Sequence, residues 1–113
     1  MTTEQILAEI AIERASQDAT WGEQNHPNGT GPAVVWADWE TQPAIHVSDY
    51  ARLRCQRAFA EGNGTWLHIL LEEIAEAFAE NDPARLRAEM IQVAAVAAAW
   101  VEAIDRRSAS DLS

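Results

Sequence analysis

The chain contains no lysine, and its 8 basic residues are all arginine. Against 18 acidic residues they leave a formal net charge of -10 at pH 7. Sequence-independent binding to nucleic acid depends on many basic side chains that neutralise the phosphates. The charge balance therefore argues against nucleic-acid binding, and an anionic partner would need a metal ion or a local group of arginines.

Cysteine and long apolar runs are also scarce. The single cysteine, Cys55, excludes an internal disulfide, and it lies in a helical pattern without a catalytic histidine signature, so we interpret it as a buried structural thiol. No stretch has the length and hydropathy of a membrane-spanning helix, and no basic segment precedes an apolar one at the start. We expect a cytoplasmic protein.

Histidine and glycine are too few, and too scattered, for two common kinds of site. His26, His46 and His68 lack the spacing of zinc ligands, so we interpret them as structural. Gly29 and Gly31 follow no strand pattern and lack the spacing of a phosphate-cradling loop. Any recognition of phosphate is therefore expected to come from a metal ion.

What the chain does contain is apolar: 48% of its 113 residues are hydrophobic, and five are tryptophan. This composition predicts one folded domain, 1–113, small enough that oligomerisation is worth expecting. The periodicity predicts an all-α fold, with helices at about 3–21, 46–60, 65–80 and 83–107, a long irregular loop at 22–45 and a disordered tail at 108–113. Thr2 with Gln5 offers a capping box, and Asp82 followed by Pro83 marks a helix start.

The third helix combines an apolar side with an acidic one. At about 100° per residue, four acids share one arc, Glu72, Glu73, Glu76 and Glu80, and an opposite core face is formed by Leu67, Leu70, Leu71, Ile74 and Phe78. Like charges four residues apart repel by roughly 0.2 to 0.5 kcal/mol per pair, a cost that a bound divalent cation would remove. The alternative interpretation is an ordinary solvated acidic face.

Glu89 interrupts the apolar stripe of the fourth helix, which contains Leu86, Val93, Val96, Trp100 and Ile104. A buried carboxylate must be protonated, paired or bound to a metal ion. The short Asn81-Asp82 link predicts an antiparallel hairpin in which Glu73 and Glu76 face Glu89. The alternative is that Glu89 pairs with an arginine from elsewhere in the fold.

The string Leu71-Glu72-Glu73-Ile74-Ala75-Glu76, followed thirteen positions later by Glu89, resembles the EExxE and ExxD motifs of the MazG-like all-α NTP pyrophosphohydrolases. The resemblance covers about 65–107, and the first helix is more loosely similar to phage and actinobacterial MazG-like proteins. Gln92 stands where the family has aspartate, which removes one negative charge from the ligand set.

The resemblance implies a MazG-type four-helix bundle, a homodimer or higher oligomer, and hydrolysis of an NTP or dNTP to its monophosphate and pyrophosphate. It implies Mg²⁺ as cofactor, with Mn²⁺ as a substitute. The metal ligands would be Glu73, Glu76 and Glu89, with Gln92 as a weak ligand or water holder. Glu72 would be a ligand or the base that orients water, and would share the catalytic role with Glu73.

Five further residues are candidates for binding substrate. Arg54 and Arg57 would meet phosphate oxygens if the second helix packs beside the acidic face, although surface ion pairs are the alternative. Gln17 and Trp21 would bind and stack a base at the end of the first helix. Trp66 competes for stacking with the loop tryptophans at positions 36 and 39, and core packing is the alternative for each.

Two other functions are compatible with the sequence. One is a non-catalytic MazG-like module that binds a nucleotide or a protein partner, with its metal site weakened by Gln92. The other is an acidic decoy for a nucleic-acid-binding protein, suggested only by the net charge of -10.

Overall fold

The computed structural model describes residues 1–35 and 40–112, with side chains described up to residue 107. Within these residues the chain forms four helices and no strand, which confirms the all-α prediction: α1 (Thr3–Trp21), α2 (Ala44–Ala60), α3 (Trp66–Ala79) and α4 (Pro83–Leu112). α2 begins slightly before the predicted residue 46, and α4 continues beyond the predicted end near residue 107. None of the described helices is both long and apolar enough to cross a membrane.

Local side-chain chemistry explains where α1 and α4 begin. The hydroxyl of Thr2 accepts from the main-chain N–H of Gln5, whose side chain accepts in return from the N–H of Thr2. Before α4, the carboxylate of Asp82 accepts from the main-chain N–H of Arg85 at 3.0 Å. These side chains satisfy N–H groups that have no partner within the first turn of a helix.

The contacts divide the chain into two units: a terminal unit of Met1–Asn25 with Ile91–Ser113, and a central unit of His26–Met90. In the central unit α2 packs against α3. Val47 and Ala51 from α2 form a buried cluster with Ala75 from α3. Small side chains at these positions let the two helix backbones approach closely, so the residues of α2 that flank the cluster lie near α3.

A segment of the loop before α2 covers the start of α3. The main-chain carbonyls of Pro27 and Asn28 accept from the N–H groups of Trp66 and Leu67 at 3.0 and 3.1 Å. The ring of His26 meets the ring of Trp66 edge-on, with centroids 5.1 Å apart. These contacts bury Trp66, whose residual exposure is only 1%.

Gly29 is the residue that permits this close approach. Its φ is 75°, and a Cβ there would collide with the side chain of Thr65, whereas Gly62 has a φ of 80° and open space around its Cα. We expect Gly62→Ala to cost about 1 kcal/mol of unfolding free energy from backbone strain alone. Gly29→Ala should cost roughly 1 to 3 kcal/mol more because of the collision. Urea denaturation of both variants measures the difference, and equal losses would contradict this account of the loop.

In the terminal unit, two arginines connect α1 and the residues after it to the C-terminal part of α4. Arg14 lies 2.6 Å from the carboxylate of Glu102, and Arg106 lies 2.6 Å from that of Glu23. No residue of α1 is buried, and Ile12 is 71% exposed. Two charged pairs therefore connect these segments at the surface of the terminal unit.

The buried faces of α3 and α4 differ from the predicted stripes. Phe78, predicted to be in the core, is 62% exposed, and Ile104 is 39% exposed. Val96 of the predicted stripe is buried, and the other buried positions of α4 are small, with Ala95, Ala99 and Ala103 spaced by four residues along one face. The hydrophobic pattern therefore did not identify every buried residue of these helices, because several of the most deeply buried positions are alanine.

Candidate metal centre

Three carboxylates converge in the central unit. One oxygen from each of Glu73, Glu76 and Glu89 lies within 4.8 Å of the other two. Glu73 and Glu76 are three residues apart on α3, and Glu89 is in the second turn of α4, just after the Asp82 cap. The structure thus brings together the three side chains that the hairpin geometry predicted to face one another. We call them the glutamate triad.

The triad is partly withdrawn from solvent, which raises the free energy of its charged state. The Oε2 atoms of Glu73 and Glu89 are buried, and Glu89 Oε2 has no hydrogen-bond donor among the described residues. Within the same residues, neither Glu76 nor Glu89 forms an ion pair with an arginine, so the alternative of a Glu89–arginine pair is not observed. Burying a carboxylate oxygen without a partner is costly unless a cation completes its environment.

Electrostatics at Glu76 reflect the same crowding. Burial raises the pKa of Glu76, and the negative charges of Glu72 and Glu89 raise it further. The positive charge of Arg52 acts in the opposite direction without cancelling these effects. The protein therefore holds the carboxylates close together at the expense of the ionisation of Glu76, as expected of a site that is stabilised by a cation.

The raised pKa predicts how stability depends on pH in the metal-free protein. Between the ordinary carboxyl pKa of 4.5 and the raised value, the folded state binds more protons at Glu76 than the unfolded state does. In EDTA, the free energy of unfolding contributed by Glu76 is therefore highest below that window, and it falls as pH rises through it. Glu76→Gln should remove this contribution.

Urea denaturation of wild type and Glu76→Gln, from about pH 5 to about pH 8 in EDTA, measures the effect. The variant should gain stability relative to wild type as pH rises. Saturating Mg²⁺ should reduce or reverse that gain, because the cation favours the ionised carboxylate. Parallel pH profiles in EDTA would contradict the assigned environment of Glu76.

Cys55 contacts the acidic face from α2. It is buried, and burial, a hydrogen bond to Glu72, and the charges of Glu72, Glu73 and Glu76 together raise the pKa of its thiol to about 12. The thiol is therefore protonated at neutral pH and donates to the Glu72 carboxylate. The sequence predicted a buried structural thiol but not this contact, for which the only signal was the position of Cys55 in the α2 stripe.

A shallow groove of about 240 Å³ lies along α2 and the start of α3. Its lining combines basic, polar and apolar side chains: Tyr50, Leu53, Arg54, Arg57, Ala58, Glu61, Asn63 and His68. Arg54 and Arg57, the two predicted phosphate contacts, therefore lie on one surface. The prediction required α2 to pack beside the acidic helix, and α2 does pack against α3. We call this the basic groove. The spacing of His68 in the sequence indicated a structural residue and gave no signal for this groove.

The other predicted substrate contacts are placed differently. Trp66 is 1% exposed, so its ring has no free face on which a base could stack, and the structure corrects that assignment to a core role. In the terminal unit Trp21 is 69% exposed and Gln17 is half-buried. Gln92 is exposed on α4. The loop tryptophans at positions 36 and 39 lie outside the described residues.

The donor set of the triad indicates which ions fit. It offers only carboxylate oxygens, the ligands that Mg²⁺ and Mn²⁺ prefer, whereas zinc sites in proteins generally use histidine nitrogen or cysteine sulfur. Three carboxylates leave room for water and for oxygens of a bound anion around a six-coordinate ion. The triad could therefore join a divalent cation to an anionic ligand.

Comparison with known proteins assigns neither a family nor a function to the chain. The chain matches no family model, no curated protein and no solved structure at a significant level. The geometry of the triad and the basic groove, together with the motif resemblance, is therefore what indicates a function.

Proposed function

We propose that the chain is a Mg²⁺-dependent nucleoside triphosphate pyrophosphohydrolase of the MazG-like type. The observation that carries the proposal is the convergence of Glu73, Glu76 and Glu89 within 4.8 Å, with Glu89 Oε2 buried and lacking a donor. The EExxE spacing that ends at Glu76 supports the same family. Mn²⁺ would substitute for Mg²⁺, since both accept carboxylate oxygen ligands.

The reaction converts an NTP or dNTP and water into a monophosphate and pyrophosphate. The triad would hold Mg²⁺, which when bound supplies positive charge that stabilises the phosphate oxygens as the anhydride bond breaks. Glu72 lies beside the triad and is half-buried, with its carboxylate accepting from the Cys55 thiol. A carboxylate held in this way can orient the attacking water and accept its proton.

Pyrophosphate release from purified protein tests the proposal. The protein is incubated with a panel of NTPs and dNTPs, with Mg²⁺, with Mn²⁺ and with EDTA, and pyrophosphate is quantified. We expect release from at least one nucleotide with either metal ion and none in EDTA. Glu73→Gln serves as the inactive control, which excludes a contaminating phosphatase. An absence of pyrophosphate from every nucleotide would contradict the proposal.

A non-catalytic MazG-like module is the second candidate, and it is favoured by Gln92, which offers no negative charge at the family's aspartate position. Calorimetry separates the two functions, since such a module would bind a nucleotide without hydrolysing it. The acidic decoy function is supported only by the net charge of -10. A pull-down that captures no nucleic-acid-binding protein would rule this function out.

A homodimer or higher oligomer, completing a MazG-type bundle, belongs to the same proposal. In the central unit Phe78, Leu86 and Met90 are 62%, 37% and 47% exposed. In the terminal unit, α1 has no buried residue. Apolar side chains left at the surface of a small chain support a second copy that covers them. Light scattering would give a mass above that of one 12.5 kDa chain, and a monomer would contradict this part of the proposal.

A further inference from the structure

We propose that the basic groove binds the two terminal phosphates of the substrate and so forms the subsite for the pyrophosphate leaving group. This inference rests on the proposed function and specifies it, because it assigns the two ends of the triphosphate to different surfaces. The α-phosphate would lie at the glutamate triad, and the β- and γ-phosphates would extend toward α2. Three observations support it.

The first is that, among the described residues, neither arginine of the groove forms an ion pair with a carboxylate, although Glu61 also lines the groove. Arg14, Arg52 and Arg106 each form an ion pair with an acidic side chain. Arg54 instead donates to the main-chain carbonyl of Val35 at 3.3 Å, and Arg57 has no ion pair among the described residues. In a chain of net charge -10, two guanidinium groups without carboxylate partners on one groove favour an anionic ligand.

The second observation is the hydrogen bonding of His68, from which we infer its tautomer. Its Nδ1 accepts from the main-chain N–H of Thr65 at 3.2 Å as part of the box that caps α3. Nδ1 therefore carries no hydrogen in the neutral ring, and Nε2 does. Burial and the nearby charge of Arg54 lower the pKa of His68, which keeps the ring neutral at neutral pH. His68 thus adds an Nε2–H donor to the two guanidinium groups.

The third observation is continuity between the groove and the acidic face. His68, Glu72 and Glu76 are spaced by four residues on α3, so they occupy successive turns on one side of the helix, about 6 Å apart along its axis. On α2, Arg54 precedes Cys55, whose thiol donates to Glu72. The basic groove at His68 and the triad at Glu76 therefore lie on the same side of α3 within the central unit, two helical turns apart. A linear polyphosphate could extend from one to the other.

This arrangement suits the charge that develops during hydrolysis. The water oxygen bonds to the α-phosphorus, and the bond from that phosphorus to the α,β-bridging oxygen breaks. The electron pair stays on the bridging oxygen, which leaves as part of pyrophosphate, and the proton lost by the water passes through Glu72 to solvent. Arg54, Arg57 and the His68 N–H would stabilise the negative charge that accumulates on the leaving group.

Calorimetric titration with inorganic pyrophosphate in EDTA tests the subsite without the metal ion. We expect wild type to bind pyrophosphate, and Arg54→Gln and Arg57→Gln to bind it about tenfold more weakly or worse. Arg85→Gln is the charge-matched control, because Arg85 is exposed on α4 of the same unit and does not line the groove. Circular dichroism confirms folding, and Arg57→Gln removes no side-chain hydrogen bond that Arg57 forms with the described residues.

Two further readouts make the result specific. Pyrophosphate should raise the pKa of His68 in NMR titrations, and it should still bind Glu73→Gln in EDTA, because the subsite does not use the triad. Equal affinity in Arg54→Gln, Arg57→Gln and Arg85→Gln would overturn the inference. The inference would also be overturned if the groove bound a nucleoside without phosphates and did not bind pyrophosphate.

The failure of this inference differs from the failure of the proposed function. Hydrolysis that requires Glu73, in a protein whose pyrophosphate affinity is insensitive to Arg54 and Arg57, would retain the enzyme and remove the subsite. Pyrophosphate binding that requires Arg54 and Arg57, in a protein that hydrolyses no nucleotide, would retain the anion site and remove the leaving-group role.

Discussion

Glu89→Gln is expected to slow Mg²⁺-dependent pyrophosphate release by about 100- to 1,000-fold. Glutamine keeps the size of the side chain but removes the negative charge that would hold the cation. Glu89 contributes the only triad carboxylate from α4, and its Oε2 is the buried oxygen that lacks a donor. Steady-state kinetics over a range of Mg²⁺ concentrations should show a lower rate of pyrophosphate release, which excess Mg²⁺ restores only in part.

The same substitution should stabilise the protein in EDTA, which distinguishes a cation site from a structural role. Glu89 raises the pKa of Glu76 by repulsion, so removing its charge relieves the folded state. Such an exchange of stability for activity is common at functional sites. Urea denaturation in EDTA should give a higher unfolding free energy for Glu89→Gln than for wild type.

Glu80→Gln is the matched control for both measurements. Glu80 belongs to the predicted acidic arc, but its Oε1 accepts from the main-chain N–H of Asp82, and the amide oxygen of glutamine can keep that bond. We expect wild-type activity and stability. If Glu89→Gln were as active as Glu80→Gln, or less stable than wild type in EDTA, Glu89 would not belong to a cation site.

Trp66→Ala should lower the free energy of unfolding by about 3 to 5 kcal/mol. Trp66 is the one large side chain that is fully buried among the described residues. It contacts His26, and its main-chain N–H binds the carbonyl of Pro27, so truncation opens a cavity beneath the loop. Chemical denaturation of the variant at neutral pH measures the loss.

Trp21→Ala provides the contrast, because Trp21 is 69% exposed. Its truncation should change stability by no more than about 0.5 kcal/mol. Nucleotide affinity measured on the same variant tests the base-stacking role predicted for Trp21. Equal destabilisation by the two substitutions would contradict the assignment of Trp66 to the core and of Trp21 to the surface.

Features that depend on short-range chemistry were predictable from the sequence. Thr2 with Gln5 and Asp82 with Pro83 marked the starts of α1 and α4, because a capping side chain and the N–H groups it satisfies lie within a few residues. The approach of Glu89 to Glu73 and Glu76 followed from helical spacing and a short connection. The helical period and the length of the connection between the two helices are enough to constrain such geometry.

Features that depend on contacts between distant segments were not predictable. Phe78 looked like a core residue, since an apolar stripe identifies a side of a helix but not the neighbour that covers it. Trp66 is buried because the segment around Gly29 folds over the start of α3. Similarly, His68 joined the basic groove only through the packing of α2 on α3.

The anomalous scattering of Mn²⁺ in crystals grown with that ion tests the central claim most directly. The account predicts a peak at about 2.0 to 2.6 Å from carboxylate oxygens of Glu73, Glu76 and Glu89. A well-ordered structure with no peak there, or with the three side chains turned away from one another, would contradict it.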